Sequence, residues 1–168
     1  LKYLLSLGSN IGDRLNYLSS ACSTLALKAD QIQVSQVYQT ASWGIQGQPS
    51  YLNCALFLKS SLTPTRLLEF LLETEQKFGR VRQSNSKWQP RTLDIDLILA
   101  GSTILNSAHL QIPHPHFSNR RFVLLPASDI CPDMIDPVTG HSIKELLDLC
   151  GDDSEIQPYE QSIQLHSH

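Results

Sequence analysis

The sequence predicts an α+β sandwich, an antiparallel sheet with helices packed on one face. Two observations carry this. Four stretches alternate or run apolar as strands do, and two helix-period stretches sit between them in the order strand, helix, strand, strand, helix, strand. That order is the split βαβ, ferredoxin-like arrangement, which leaves the second sheet face open to a ligand.

Each element has a local reason. "KYLLSLGS" is an apolar strand run that turns at Gly8, and Asp13 can cap a helix over residues 14–28, striped by Leu15, Leu18, Cys22, Leu25 and Ala26. "IQVSQVYQT" alternates through Ile32, Val34, Gln36 and Tyr38. Residues 41–50 contain two glycines and a proline without periodicity, and read as a loop. In "YLNCALFLKS", Tyr51, Asn53, Ala55 and Phe57 share one strand face, and Leu52, Cys54, Leu56 and Leu58 share the other. Pro64 opens a helix that Gly79 ends. After a polar loop comes "RTLDIDLILAG", with Leu93, Ile95, Leu97 and Leu99 predicted on the core face and Thr92, Asp94, Asp96 and Ile98 opposite. A hairpin at 103–112, a short helical stretch after Asn119 and a helix over 142–150 follow, and the tail after Gly151 reads as frayed.

The 168 residues, 41% apolar and 17% charged, suit a single domain. No apolar run approaches the ~18 residues of a membrane span, and no signal peptide is evident, so a cytoplasmic protein without membrane association is expected. Cys22, Cys54, Cys131 and Cys150 form no CxxC pair and are expected to be reduced, mostly buried thiols. The net charge of −3 conceals a segregation. Residues 77–121 carry seven Lys/Arg against Asp94 and Asp96, while residues 122–168 carry nine acids against Lys144. The only two acids of the middle block thus sit inside a basic surround.

Asp94 and Asp96 lie two residues apart on one strand face, about 6.6 Å from roughly 3.3 Å of rise per residue. An edge-strand decoration is the bland reading of such a pair. Against it, the like charges repel, whereas two Mg²⁺ ions about 3.5 to 4 Å apart would use both carboxylates and leave positions for phosphate oxygens. Arginines beside them suit phosphate, which a guanidinium binds bidentately. No Walker loop occurs, "GSNIGD" alone is a weak signal, and His114 and His116 at HxH spacing suit a phosphate contact by His114 better than zinc.

Together, "LGSNIGDR", "QPSYLNCAL", "GRVR", "WQPRTLDIDLIL" and "IPHPHFSNRRFVLLP" resemble hydroxymethyldihydropterin pyrophosphokinase of folate biosynthesis, from about Tyr3 to Ile143. The resemblance implies transfer of the β,γ-diphosphate of ATP to the pterin hydroxymethyl group, with AMP released and no nucleic acid or membrane involved. It implies that Asp94 and Asp96 hold two Mg²⁺ ions, that Arg82, Arg91, His114 and Arg120 contact the triphosphate, and that Glu75 and Trp88 line the ATP site. Arg82 and Arg91 would share the catalytic work with the aspartates, and Asp96 or a metal-bound water would assist hydroxyl deprotonation. Tyr51 and Phe122 would enclose the pterin ring, Asn53 would pair with its polar edge, and Gly8 with backbone groups from Thr40 to Trp43 would complete the pocket. Loops 41–50 and 82–91 match segments that close over substrates, and fusion to or association with another folate-pathway enzyme is a further expectation. Ser42 and Gln89 depart from the family pattern, Lys87 could supplement a basic contact, and His116 occupies a variable position. Two rivals remain on residues alone. An RNA-binding module would need an RNP1-like segment, which is absent, and a two-metal phosphoesterase would share the aspartates but use water as acceptor.

Overall fold

The computed structural model describes residues 1–40, 49–79 and 92–165. Strand β1 (Lys2–Ser9) pairs antiparallel with β4 (Tyr51–Lys59) on one side and with β5 (Asp94–Ala100) on the other. On the far side of β4 lie β2 (Gln31–Val34) and β3 (Tyr38–Thr40), which form one strand with a one-residue bulge. Val34 faces Leu56 but Tyr38 faces Asn53, four steps against three. Ser35 accounts for the bulge, since its N–H donates to the Ala55 carbonyl while its hydroxyl accepts from the Ala55 N–H.

Helix α1 (Arg14–Ala26) starts where Asp13 accepts a 3.2 Å bond from the Asn16 N–H. Helix α2 (Pro64–Lys77) has Thr63 as cap and proline in its first turn, and Gly79, at φ 85°, closes it. Both helices lie over Leu5, Leu7, Leu52, Cys54, Leu56, Leu58, Leu93, Ile95 and Leu97, the last three on the β5 face that alternation assigned to the core. Burying this many Leu and Ile side chains, at about 1.5 to 3 kcal/mol each, is the main favourable contribution.

Leu99 departs from that alternation. The β1–β5 register shifts between Leu4/Leu99 and Leu5/Leu97, so Ile98 is an extra residue in β5. Both Ile98 and Leu99 then pack into a second core on the opposite face, and Ala100 returns to the first. The Ile98 carbonyl accepts from the His114 N–H at 3.0 Å, which ties the bulge to the segment after β7.

The second core corrects the expectation of an open face. The predicted short helical stretch after Asn119 is a ten-residue helix, α3 (Arg121–Ile130), preceded by a turn of 3-10 helix at Phe117–Asn119. With α4 (Ile143–Leu149), which Ser142 and Glu145 open with a capping box, it covers Leu4, Ala55, Ile98 and Leu99. The part of this face around Gly8 lies outside that core. The hairpin forms as β6 (Leu105–Asn106) and β7 (Gln111–Ile112).

The tail reading is also corrected. Residues Ile156–Pro158 form β8, antiparallel to β3 at the sheet edge, and Tyr159 and Ile163 pack on the first core. β3 would otherwise present an unpaired edge, and the Tyr159 N–H to Val37 carbonyl bond of 2.8 Å extends the pairing. Cys22 and Cys54 are buried and Cys131 and Cys150 half-buried, all as free thiols. Among the described residues no helix is long and apolar enough to cross a membrane.

Candidate active site

Strand register assembles the site. Gly8 stands between Asn53 of β4 and Asp94 of β5, and Ser6, one pleat along, stands between Ala55 and Asp96. One sheet face therefore presents an amide, a glycine and a carboxylate in a row, with a second carboxylate behind. Sequence reading passed over Ser6, although "LLSLGS" places it on the same face as Gly8, between the core residues Leu5 and Leu7.

Asn53 is oriented from both sides. It is 4% exposed, and its Nδ2 donates to Thr40 Oγ1 at 2.9 Å, so the β3–β4 pair fixes the amide plane. Its Oδ1 lies over Gly8, where an added Cβ would stand 3.0 Å from it and 3.6 Å from the Tyr51 ring. Glycine is therefore required by close approach, with no positive φ involved. Ser50, the residue before β4, is anchored next to this row. Arg14 donates to the Ser50 carbonyl at 2.7 Å and to its hydroxyl at 2.9 Å, and Gln39 Nε2 also donates to that hydroxyl.

The carboxylates are supported from behind. Glu75, 1% exposed on α2, accepts a 2.8 Å hydrogen bond from the Ile95 N–H, at the residue between Asp94 and Asp96. β5 is the outermost strand of the sheet among the described residues, so Glu75 satisfies a backbone donor at its outer edge. This places Glu75 beneath the carboxylates.

His114 reaches the row from the segment after β7. Burial, then the charges of Arg120 and His116, push its pKa down to about 4, against an opposing pull from Asp94. The ring is consequently neutral at pH 7. The His116 N–H donates to its Nδ1 at 3.3 Å, which leaves the proton on Nε2, as a donor. The Arg120 guanidinium stands 5.9 Å from the Phe122 ring centroid, and Phe122 itself is half-buried against the second core. Described site residues thus come from β1, β3, β4, β5, α2, the segment after β7 and the start of α3. Trp43, Arg82, Trp88 and Arg91, like Ser42, Lys87 and Gln89, lie outside the described residues.

Among the described residues no three His, Cys, Asp or Glu side chains converge as a closed metal site. Two carboxylates on one strand face nevertheless suit Mg²⁺, a hard cation commonly held by one or two carboxylates, with substrate phosphates and water completing its shell.

Fold and site define a ferredoxin-like α+β protein with an acidic pair and an oriented amide on one sheet face, the equipment of an enzyme acting on small polar molecules. Residues 4–132 match the family model described as 7,8-dihydro-6-hydroxymethylpterin-pyrophosphokinase, and the chain belongs to that family. A Synechocystis protein named 2-amino-4-hydroxy-6-hydroxymethyldihydropteridine pyrophosphokinase is 44% identical over 147 residues, 86% of this chain and 74% of the relative. An Aquifex aeolicus protein of the same name is 36% identical, over 84% of this chain and 87% of its own length. Among solved structures, the Plasmodium falciparum HPPK-DHPS with pteroate superposes with a TM-score of 0.69 over 88% of this chain. At 14% identity and 42% of that longer chain, this similarity speaks for the fold alone.

Proposed function

We infer that this chain transfers the β,γ-diphosphate of ATP to the hydroxymethyl oxygen of 6-hydroxymethyl-7,8-dihydropterin, giving AMP and the pterin diphosphate, a step of folate biosynthesis. Family membership supports the reaction, and the Asn53–Gly8–Asp94 row is the observation that supports its place in the fold.

A pterin presents a flat ring and an edge bearing an amino group beside a carbonyl. Asn53 offers that edge an Oδ1 acceptor over Gly8 and its remaining Nδ2 hydrogen as donor, the other being committed to Thr40. Tyr51 and Phe122 enclose the ring, with Trp43 and backbone groups near Thr40 completing the pocket. The absent Cβ of Gly8 lets the ring approach the sheet. The hydroxymethyl group then points toward Asp94 and Asp96, one strand further on.

Asp94 and Asp96 would hold two Mg²⁺ ions, which when bound supply positive charge to the triphosphate and to the attacking oxygen. Arg82, Arg91 and Arg120 bind phosphate oxygens, His114 donates from a neutral imidazole, and Trp88 lines the nucleotide side. Glu75 acts from beneath, keeping β5 in place under the carboxylates. Transfer forms a bond from the hydroxymethyl oxygen to the β-phosphorus, breaks the bond between that phosphorus and the α,β-bridging oxygen, and releases AMP. Asp96 assists removal of the hydroxyl proton. The substrates are small soluble molecules and the compartment proposed is the cytoplasm, with fusion to or association with a second folate-pathway enzyme a compatible arrangement.

The test is an assay with ATP, Mg²⁺ and the hydroxymethyl pterin. AMP should form in proportion to pterin consumed and only in its presence. Hydrolysis of ATP at the same rate without pterin would overturn the reading.

A further inference from the structure

The family match ends at residue 132, yet the segment after Cys150 touches both edges of the proposed pterin site. At one edge, Asp152 Oδ2 accepts a 3.0 Å hydrogen bond from the Arg121 N–H, the first residue of α3. Arg120, the residue before that helix, makes no side-chain cap, so the carboxylate arrives from another part of the chain. It satisfies a helix N-terminal donor that has no partner within its own helix and faces the positive end of the helix dipole. Asp152 is held for this task, because its Oδ1 accepts from the Ser154 N–H at 3.0 Å and from the Ser154 hydroxyl. At the other edge, Ile156 pairs with Thr40, the residue whose hydroxyl orients the Asn53 amide.

We propose that residues 152–158 act as a clasp that fixes the width of the pterin site, with Asp152 holding the start of α3 beside Arg120 and Phe122, and β8 holding the end of β3 at Thr40. This rests on the placement of the pterin given above. Asp152 and Ile156 are four residues apart, and four extended residues span at most about 14 Å. The two edges therefore cannot separate without breaking one of the ties. A second link, from the Tyr38 hydroxyl to Asp129 Oδ2 at 2.7 Å, joins the same strand to the same helix further along. That link holds the C-terminal part of α3 to the residue paired with Asn53, and the clasp supplies the tie at the N-terminal end of the helix, beside Arg120 and Phe122. Asp152 is a positioning residue, since it touches backbone and no reacting group.

Two variants test the two ties independently. Asp152→Ala removes the acceptor at Arg121, and Gln157→Pro removes the donor opposite Gln39 and weakens the β8–β3 ladder. Each should raise the pterin KM roughly threefold to thirtyfold, the range expected from losing a helix cap or its charge, with kcat within about twofold. Gln157→Pro should leave the ATP KM unchanged. Hydrogen exchange should quicken at residues 121–124 in the first variant and 38–40 in the second. Asn53→Ala serves as the control for the site itself. If Asn53→Ala loses pterin binding while both clasp variants, folded by circular dichroism, keep a wild-type pterin KM, the clasp is refuted and the site reading stands. If Asn53→Ala binds pterin normally, the site reading fails and the clasp with it. Should Gln157→Pro not fold, Asp152→Ala decides alone, and a fall in kcat equal to its loss in pterin binding would also refute the proposal.

Discussion

Gly8→Ala probes the crossing point of the whole site with one methyl group. The new Cβ would lie 3.0 Å from Asn53 Oδ1, and ordinary contact begins at 3.4 Å, so the amide must retreat by about 0.4 Å. Its other end is fixed, with Nδ2 2.9 Å from Thr40 Oγ1 in a buried setting. A retreat of that size stretches the bond toward about 3.3 Å, beyond the usual 2.7–3.2 Å range. Leaving a buried amide poorly paired costs about 1 to 3 kcal/mol. The φ of Gly8 is not positive, so backbone strain adds nothing, and the loss should be confined to this contact. We expect urea unfolding to show a loss of about 1 kcal/mol or more. Pterin affinity should fall by tenfold or more, since the displaced amide and the added methyl both stand where the ring edge binds. Titration of pterin into the nucleotide-free variant, followed by fluorescence, measures the second effect. Pterin affinity within twofold of wild type would refute the account of why this position is glycine.

Asp94→Ala and Asp96→Ala should each abolish detectable turnover with the fold retained, as stopped assays and circular dichroism would show, because each removes one of the two carboxylates proposed to hold the ions. The folded pKa of His114, about 4, lies below its ordinary 6.5, so the unfolded chain takes up the proton first as pH falls. The contribution of neutral His114 to stability is whole above about 6.5 and is lost between 6.5 and 4. Urea midpoints of the metal-free protein should drop across that window and do so less in His114→Gln. Phe122→Ala should weaken pterin binding while leaving ATP binding unchanged, and equal losses in separate titrations would make Phe122 a core residue only. Arg82→Ala should lower kcat more than ATP affinity, because its charge matters most as negative charge redistributes in transfer. A change in affinity alone would make it a ground-state anchor.

What was legible in the sequence was what local periodicity encodes. The alternation in "YLNCALFLKS" assigned both faces of β4 correctly, and Asp13, Thr63–Pro64 and Ser142 mark helix starts by side-chain chemistry within four residues. The bulge at Ile98 was not legible, because its carbonyl is held by the His114 N–H, sixteen residues away, and nothing in "DLILA" requires it. The length of α3 was obscured by Pro126, which burial of Val123, Leu124 and Ala127 outweighs. β8 was hidden because "EIQPYE" is polar, and an edge strand is chosen by backbone pairing more than by side-chain pattern. At the site, Asp94, Asp96, Tyr51 and Asn53 could be placed on faces by counting in twos. That Gly8 stands between Asn53 and Asp94 depends on the register of three strands distant in sequence, which periodicity does not specify.

The central claim, that a diphosphate unit passes intact from ATP to the pterin, is tested most directly with ATP radiolabelled at the β-phosphorus. Separation of products after a single turnover with Mg²⁺ and hydroxymethyldihydropterin should place the label on the pterin, with unlabelled AMP in equal amount. Label recovered as free pyrophosphate, or retained in ADP, would contradict the account.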